Sequence, residues 1–118
     1  MDERKRLGNQ GEEEVARWLR GQGYRILASQ YRCRFGEIDL IARSREGILC
    51  FVEVKARTSS RFAAAREAVT AAKQRRLRTT AQLYLAQTGQ GECHCRFDVA
   101  EVYPSPAGYE INYITNAF

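Results

Sequence analysis

The sequence holds one histidine, two prolines and one tryptophan among 118 residues, and no long apolar run. Mean hydropathy is -0.50, and no stretch approaches the ~20 apolar residues that cross a bilayer, which excludes a helical membrane span. With His94 as the only histidine, a mechanism built on a histidine base or a Ser–His pair has little to draw on. A glycine-rich phosphate loop and a serine-nucleophile motif are both missing. The first residues, Met1-Asp2-Glu3-Arg4-Lys5-Arg6, lead straight into helical spacing, without the apolar core of an export signal. The expected location is therefore cytoplasmic. Four cysteines, at 33, 50, 93 and 95, allow a disulfide framework by count, but reduced thiols suit that compartment better. Cys93-His94-Cys95 is a thin zinc signal: successive strand residues alternate faces, and of the other thiols Cys50 belongs to an apolar face.

Positive charge is present and is concentrated. The net charge is +5, from 19 Lys+Arg against 14 Asp+Glu. Val54 to Arg78 carries eight bases (Lys55, Arg57, Arg61, Arg66, Lys73, Arg75, Arg76 and Arg78) against one acid, Glu67, while the remainder sums to -2. A basic block on a near-neutral body is the footprint of a polyanion binder, or else a solvated helix face.

Length predicts one domain over residues 1–118, without repeats or linkers. Apolar positions 7, 15, 18 and 19, with Gly11 on the same stripe, have helical spacing that ends at Gly21 and Gly23. Tyr24 to Arg34 reads as an edge strand with its tip at Arg34-Phe35-Gly36. The strongest strand signals are Glu37 to Arg43 and Ile48 to Arg57, where the even positions from Ile38 to Ala42 and from Ile48 to Ala56 are apolar. Between them Arg45-Glu46-Gly47 makes a three-residue hairpin loop. A long helix is predicted over Ala63–Ala86, with stripe positions 65, 69, 73, 77, 81 and 84/85, ended by Thr88-Gly89-Gln90-Gly91. Cys95 to Tyr103 and Tyr109 to Ile114 close the chain as a hairpin around a Pro104–Gly108 turn. The order is helix, three strands, helix, two strands: an α/β domain with a mixed β-sheet and flanking helices.

The three-residue loop sets a register in which paired positions sum to about 92, placing Asp39 opposite Glu53 and Glu37 opposite Lys55. All four then emerge on the odd face, which is apolar nearer the turn at Ile41, Leu49 and Phe51. Cβ atoms of directly opposed residues lie about 4.5–5.5 Å apart, where like charges repel. Asp39 and Glu53 thus need water or a cation between them. Two carboxylates plus waters suit Mg²⁺, which takes oxygen ligands octahedrally and keeps part of its hydration shell. Lys55 beside them would orient an attacking water or hold a phosphate. The plainer alternative is a surface hairpin carrying ion pairs of little energetic value.

Gly36-Glu37-Ile38-Asp39-Leu40-Ile41 followed by Phe51-Val52-Glu53-Val54-Lys55 resembles the PD-(D/E)xK nuclease superfamily motif, an Asp and then Glu-x-Lys on the next strand. More closely, the chain resembles the bacterial YraN family of small proteins regarded as endonuclease-like. The likeness runs nearly end to end. It takes in Gly8-x-x-Gly11-Glu12-x-x-Val15-x-x-Trp18-Leu19, Gly23-Tyr24, both central strands, Lys73-x-x-Arg76-Leu77, Arg96-Phe97-Asp98-Val99 and Asn116-Ala117-Phe118. The resemblance implies a restriction-endonuclease-like core, Asp39 and Glu53 as ligands of Mg²⁺ or Mn²⁺, and Lys55 as the catalytic lysine. It also implies Glu12 as the acid added by the first helix. At ~100° per residue, Glu12 and Glu14 flank the apolar stripe symmetrically, so the resemblance alone chooses between them. Val15 departs from the alanine of the pattern, a matter of packing.

Lys73 falls between Val69 and Leu77 on the stripe that faces the sheet, so it either snorkels to solvent or reaches the ionic end of the odd face. Arg57, Arg75 and Arg76 are expected to contact the sugar–phosphate backbone, which makes nucleic acid, DNA before RNA, the expected partner. Arg96 and Asp98 share a strand face and are expected to pair structurally. A homodimer is compatible with the resemblance; a membrane partner is not expected. Three functions then compete: a Mg²⁺-dependent nuclease, a catalytically silent nucleic-acid-binding module of the same fold, and a domain docking its basic helix on an acidic protein. The opposed carboxylates favour the first, since a binder has no use for them.

Overall fold

The computed structural model describes residues 3–57, 69–90 and 93–118. The elements follow the expected order: α1 (Glu3–Gly21), β1 (Arg25–Cys33), β2 (Gly36–Arg43), β3 (Leu49–Ala56), α2 (Ala71–Thr88), β4 (Cys95–Ser105) and β5 (Gly108–Ile114). The strands form one mixed sheet in the order β1-β2-β3-β4-β5, antiparallel except for the parallel β3–β4 pair. A parallel pair needs a crossover connection, and the segment containing α2 supplies it. Among the described residues the result is an α/β architecture with five strands and two helices, compatible with a nuclease-like core.

Period-two alternation in β3 and β4 sends alternate residues to opposite faces, and each face meets one helix. Leu40, Ala42, Cys50, Val52, Ala100 and Val102 pack with Val15, Ala16 and Leu19 of α1. Ile41, Leu49, Phe51 and Val99 pack with Leu77, Ala81 and Tyr84 of α2. Tyr84 meets Tyr31 and Phe51 edge-on, with ring centroids 5.2 and 6.1 Å apart. α1 approaches the sheet closely at Gly11, where a Cβ would meet that of Ala56 at 3.5 Å and the Val54 side chain at 3.7 Å. Glu12, the next residue, is thereby held at the end of β3.

The β2–β3 register is the expected one: Arg43↔Leu49, Ala42↔Cys50, Ile41↔Phe51 and Leu40↔Val52. Ser44 N donates to Ile48 O at 2.8 Å to close the loop, and Gly47 at φ 90° takes the left-handed turn. β1 lies at the sheet edge, as its mixed composition suggests. Pro104 and Ser105 extend β4, so the final turn is shorter than expected and consists of Pro106 and Ala107.

α2 begins later than the periodicity suggests. Thr70 is the N-cap, accepting from Lys73 N at 3.2 Å, and Val69 packs into the core from the preceding bend. Arg61, Ala65 and Arg66, also expected on this helix or in its basic block, lie outside the described residues. The sites expected around Arg96 and Cys50 are structural. Arg96 grips the fully buried Asp98 with N–O distances of 2.9–3.1 Å, and Tyr113 OH and Asn116 N also donate to that carboxylate. The Cys50 side chain is buried, which pushes its thiol up to about 12.

Candidate metal centre at the open end of the β2–β3 hairpin

The two central strands stop pairing at Leu40↔Val52. Ser44 and Ile48 form a hydrogen-bonded pair, so every second pair along the hairpin should do the same, and Val54 N should meet Ile38 O. It donates instead to Asp39 Oδ2 at 2.8 Å. The carboxylate thus takes the place of a ladder carbonyl, and the hairpin opens at that point. Across β1–β2 the pairing skips Gln30 opposite Asp39, and Gln30 has φ 51°.

This break overturns the expectation that Glu37, Asp39, Glu53 and Lys55 share one regular face. Ile38, expected among the even-face residues with Leu40, packs into the α2-side core. Glu37 is correspondingly turned toward the α1 side. It does not pair with Lys55 and has Arg32 at 3.5 Å instead. Glu12, Glu37 and Asp39 each offer a carboxylate oxygen within 4.8 Å of the others. Among the described residues this is the one such grouping of three acidic or thiol/imidazole ligands, so the Cys93-His94-Cys95 zinc reading gains nothing; Cys93 and Cys95 place their sulfurs 3.6 Å apart.

The choice between Glu12 and Glu14 is one of position. Glu14 pairs with Arg17 at 2.8 Å on the helix exterior. Glu12 accepts from Gln30 Nε2 at 3.0 Å through Oε2, while its Oε1 is buried without a hydrogen-bond partner. A buried, unpartnered carboxylate oxygen is costly, and it lies beside two further carboxylates. The residues therefore fit a divalent cation: an orphan anionic oxygen and a set of hard oxygen donors are what Mg²⁺ or Mn²⁺ takes. Glu12→Gln should weaken Mn²⁺ binding about tenfold in a calorimetric titration, whereas Glu14→Gln should be close to neutral; the reverse order would reassign the helix contribution.

Electrostatics carry the same signature. Burial, then the neighbouring Glu53 and the acids Glu12 and Glu37, raise the Asp39 carboxyl to about 7, against the pull of Val54 N–H. Glu12 is also raised, by burial first, with Gln30 opposing. Glu53, 7% exposed, stands beside this group on β3 with two lysines on its Oε1: Lys73 at 2.5 Å and Lys55 at 3.5 Å. Lys73 thus reaches the ionic end of the face. Burial pulls its proton affinity down, but the hydrogen bonds to Glu53 and Lys55 and the charges of Glu53 and Asp39 together raise it. Lys55 moves the other way, lowered by burial and by the neighbouring Lys73 against the attraction of Glu53. A groove of about 600 Å³ runs between α1 and β1, and Glu12, Gln30 and Leu40 line it, so the Glu12 side of the cluster borders open space.

The remaining expected contacts divide. Arg75 and Arg76 are exposed on α2. Arg78 lies over the Phe97 ring at 4.9 Å to its centroid. Arg57, expected on the backbone of a nucleic acid, is turned to Glu101 at 3.6 Å and its Nε is buried without a hydrogen bond. Glu101 escapes the sequence reading. It is 2% exposed, the cross-strand neighbour of Lys55, and accepts from Tyr103 and Asn112. Its alternation within β4 gives no sign of an ionic role.

The sequence profile of the Uncharacterised protein family UPF0102 matches residues 11–102, which span α1 from Gly11 through most of β4. The chain belongs to the UPF0102 family. It is 52% identical over 115 residues to the UPF0102 protein of Symbiobacterium thermophilum, covering 97% of each chain. It is 42% identical over 118 residues to that of Desulforamulus reducens, covering 98% of this chain and 97% of the relative. With the UPF0102 protein of Chlorobium chlorochromatii it shares 53% identity over 96 residues, 81% of this chain and 73% of the relative. The YraN resemblance noted in the sequence is to this same family.

Proposed function

We propose that this UPF0102 protein is a divalent-metal-dependent nuclease that hydrolyses phosphodiesters of nucleic acid, DNA before RNA, in the cytoplasm. The observation that supports this most is the meeting of Glu12, Glu37 and Asp39 oxygens within 4.8 Å of one another, beside a Glu53 that carries two lysines. Asp39 and Glu12 would hold the cation, with Glu53 and Glu37 completing or flanking its shell. The cation supplies a more acidic water and offsets charge on the phosphate. Lys55, whose proton affinity burial has lowered, orients the water or holds the scissile phosphate. No helix among the described residues is long and apolar enough to cross a membrane.

The exposed Arg75 and Arg76 supply backbone contact away from the reacting atoms. Replacing both with alanine should weaken DNA binding and lower the log–log salt slope by about 0.9 for each phosphate that is no longer neutralised. A double variant with unchanged slope and affinity would mean that the phosphates lie elsewhere. The function itself is tested by incubating the protein with Mg²⁺ or Mn²⁺ and a panel of duplex, branched and single-stranded DNA and RNA. Wild type should cleave at least one class and Asp39→Ala none. Binding without metal-dependent cleavage would leave the catalytically silent module as the reading.

A further inference from the structure

Glu53 is a carboxylate beside the Glu12–Glu37–Asp39 cluster that is not free. Its Oε1 accepts Lys73 Nζ at 2.5 Å, with Lys55 Nζ at 3.5 Å, and its side chain is almost wholly enclosed. The group of oxygens close enough to share a cation is Glu12, Glu37 and Asp39, without Glu53. Lys73 does not reach this position by chance of a flexible surface chain. Its backbone is fixed in the first turn of α2 by the Thr70 cap, and Val69 and Leu77 anchor the helix on either side in the core. An ammonium group is thus built in at the place where a fourth carboxylate would otherwise meet the cation.

We propose that Lys73 is a resident counter-ion of Glu53, which a divalent cation displaces from the carboxylate and which a substrate phosphate then receives. This rests on reading the carboxylate cluster as a divalent-metal centre. Two consequences follow from charge alone. Without metal, the ammonium offsets one of the four crowded acids, so the site tolerates its own repulsion. With metal, Glu53 and Lys73 part, and the released ammonium has a phosphodiester oxygen as its nearest new partner. Lys73 therefore makes metal binding weaker than the donor set alone would give, and makes metal and nucleic acid favour each other's binding.

The test is a calorimetric titration with Mn²⁺ alone of wild type, Lys73→Met, Lys73→Arg and the double variant Lys73→Met with Glu53→Gln. Removing an ion-pair partner of about 1.4 kcal/mol corresponds to a tenfold change, so Lys73→Met should bind Mn²⁺ about tenfold more tightly. Lys73→Arg should stay near wild type. Adding Glu53→Gln should cancel the gain, because the freed ligand is that carboxylate. Lys73→Gln serves in place of the methionine variant if the latter does not fold. Equal or weaker binding by Lys73→Met, with Mn²⁺ still bound by wild type, overturns the counter-ion role and leaves the metal centre standing. A gain that survives Glu53→Gln also overturns it, since net charge and not displacement would then be the cause. Binding by Lys73→Met alone supports it in an extreme form, and no binding by any variant removes both readings.

Discussion

Asp39→Asn should remove most of the metal-induced rise in melting temperature and, without metal, should stabilise the protein above neutral pH. A cation bound only to the folded state raises its stability by mass action, and Asp39 is the carboxylate common to every part of the site: the Val54 amide, the Glu12–Glu37 pair and the field of Glu53. The pH dependence follows from the direction in which its pKa moves. Burial and neighbouring acids raise the folded group from 3.8 to about 7, so the folded protein holds the proton more tightly than the unfolded chain does. That contribution is fully present below about pH 4 and is lost as pH rises through 7. A pKa difference of one between folded and unfolded states is worth about 1.4 kcal/mol, so metal-free wild type should lose on the order of a few kcal/mol across this window. The asparagine side chain of the variant carries no such charge, and the variant's melting temperature should stay flatter between about pH 4 and 7. Mg²⁺ should flatten the wild-type curve as well, because the cation then favours the ionised form. Parallel pH curves for wild type and variant, with equal metal-induced rises, would remove Asp39 from the centre.

Lys55→Ala should abolish cleavage while leaving the protein folded and its DNA affinity lower by about one phosphate contact. Lys55 lies near the end of β3, half-buried, with Glu53 on one side and Glu101 across the parallel ladder. A positioned group that moves a proton or stabilises transition-state charge is worth about 10²–10⁴ in rate, far more than one exposed ion pair contributes to stability. The expected pattern is therefore a collapse in turnover with the Mn²⁺-induced rise in melting temperature retained. Lys55→Arg keeps the charge but not the compact ammonium or its lowered proton affinity, and should recover binding more than rate. Comparable losses of folding and cleavage in Lys55→Ala would make Lys55 a structural partner of Glu53.

Much of this arrangement is legible in the chain. Alternation in Leu49–Ala56 and the Arg45-Glu46-Gly47 loop are enough to set the pairing sum of the hairpin, because a one-residue slip would turn Leu40 and Val52 out of the α1-side core to the opposite face of the sheet. The stripe through Leu77 and Ala81 is likewise enough to place Lys73 toward the sheet, and its partner there is Glu53. What is not legible is the break at Asp39. Whether a ladder amide bonds to a backbone carbonyl or to a nearby carboxylate is decided in three dimensions, and neither the Val54–Asp39 bond nor the positive φ of Gln30 across from Asp39 has a composition signal. That break moves Glu37 away from Lys55 and toward Glu12. Glu12 itself is separable from Glu14 only by resemblance, because helical geometry treats the two alike until the sheet lies beneath one of them. The start of α2 escapes the periodicity since Val69 is apolar and in phase with Leu77, yet Thr70 offers the chain a cap. Arg57 departs from expectation for a related reason: it is a basic residue in a basic block, but the parallel strand brings it to a buried acid, Glu101.

The site proposed at the open end of the hairpin is a divalent cation held by Asp39 and Glu12. Crystals grown with Mn²⁺ and measured for its anomalous scattering test this most directly. An anomalous peak is expected between the Asp39 and Glu12 carboxylates, within direct ligation distance of both. Lys73 should have left Glu53 wherever that carboxylate joins the shell. Crystals that bind Mn²⁺ elsewhere, or show no peak between these two residues at millimolar Mn²⁺, would contradict the claim.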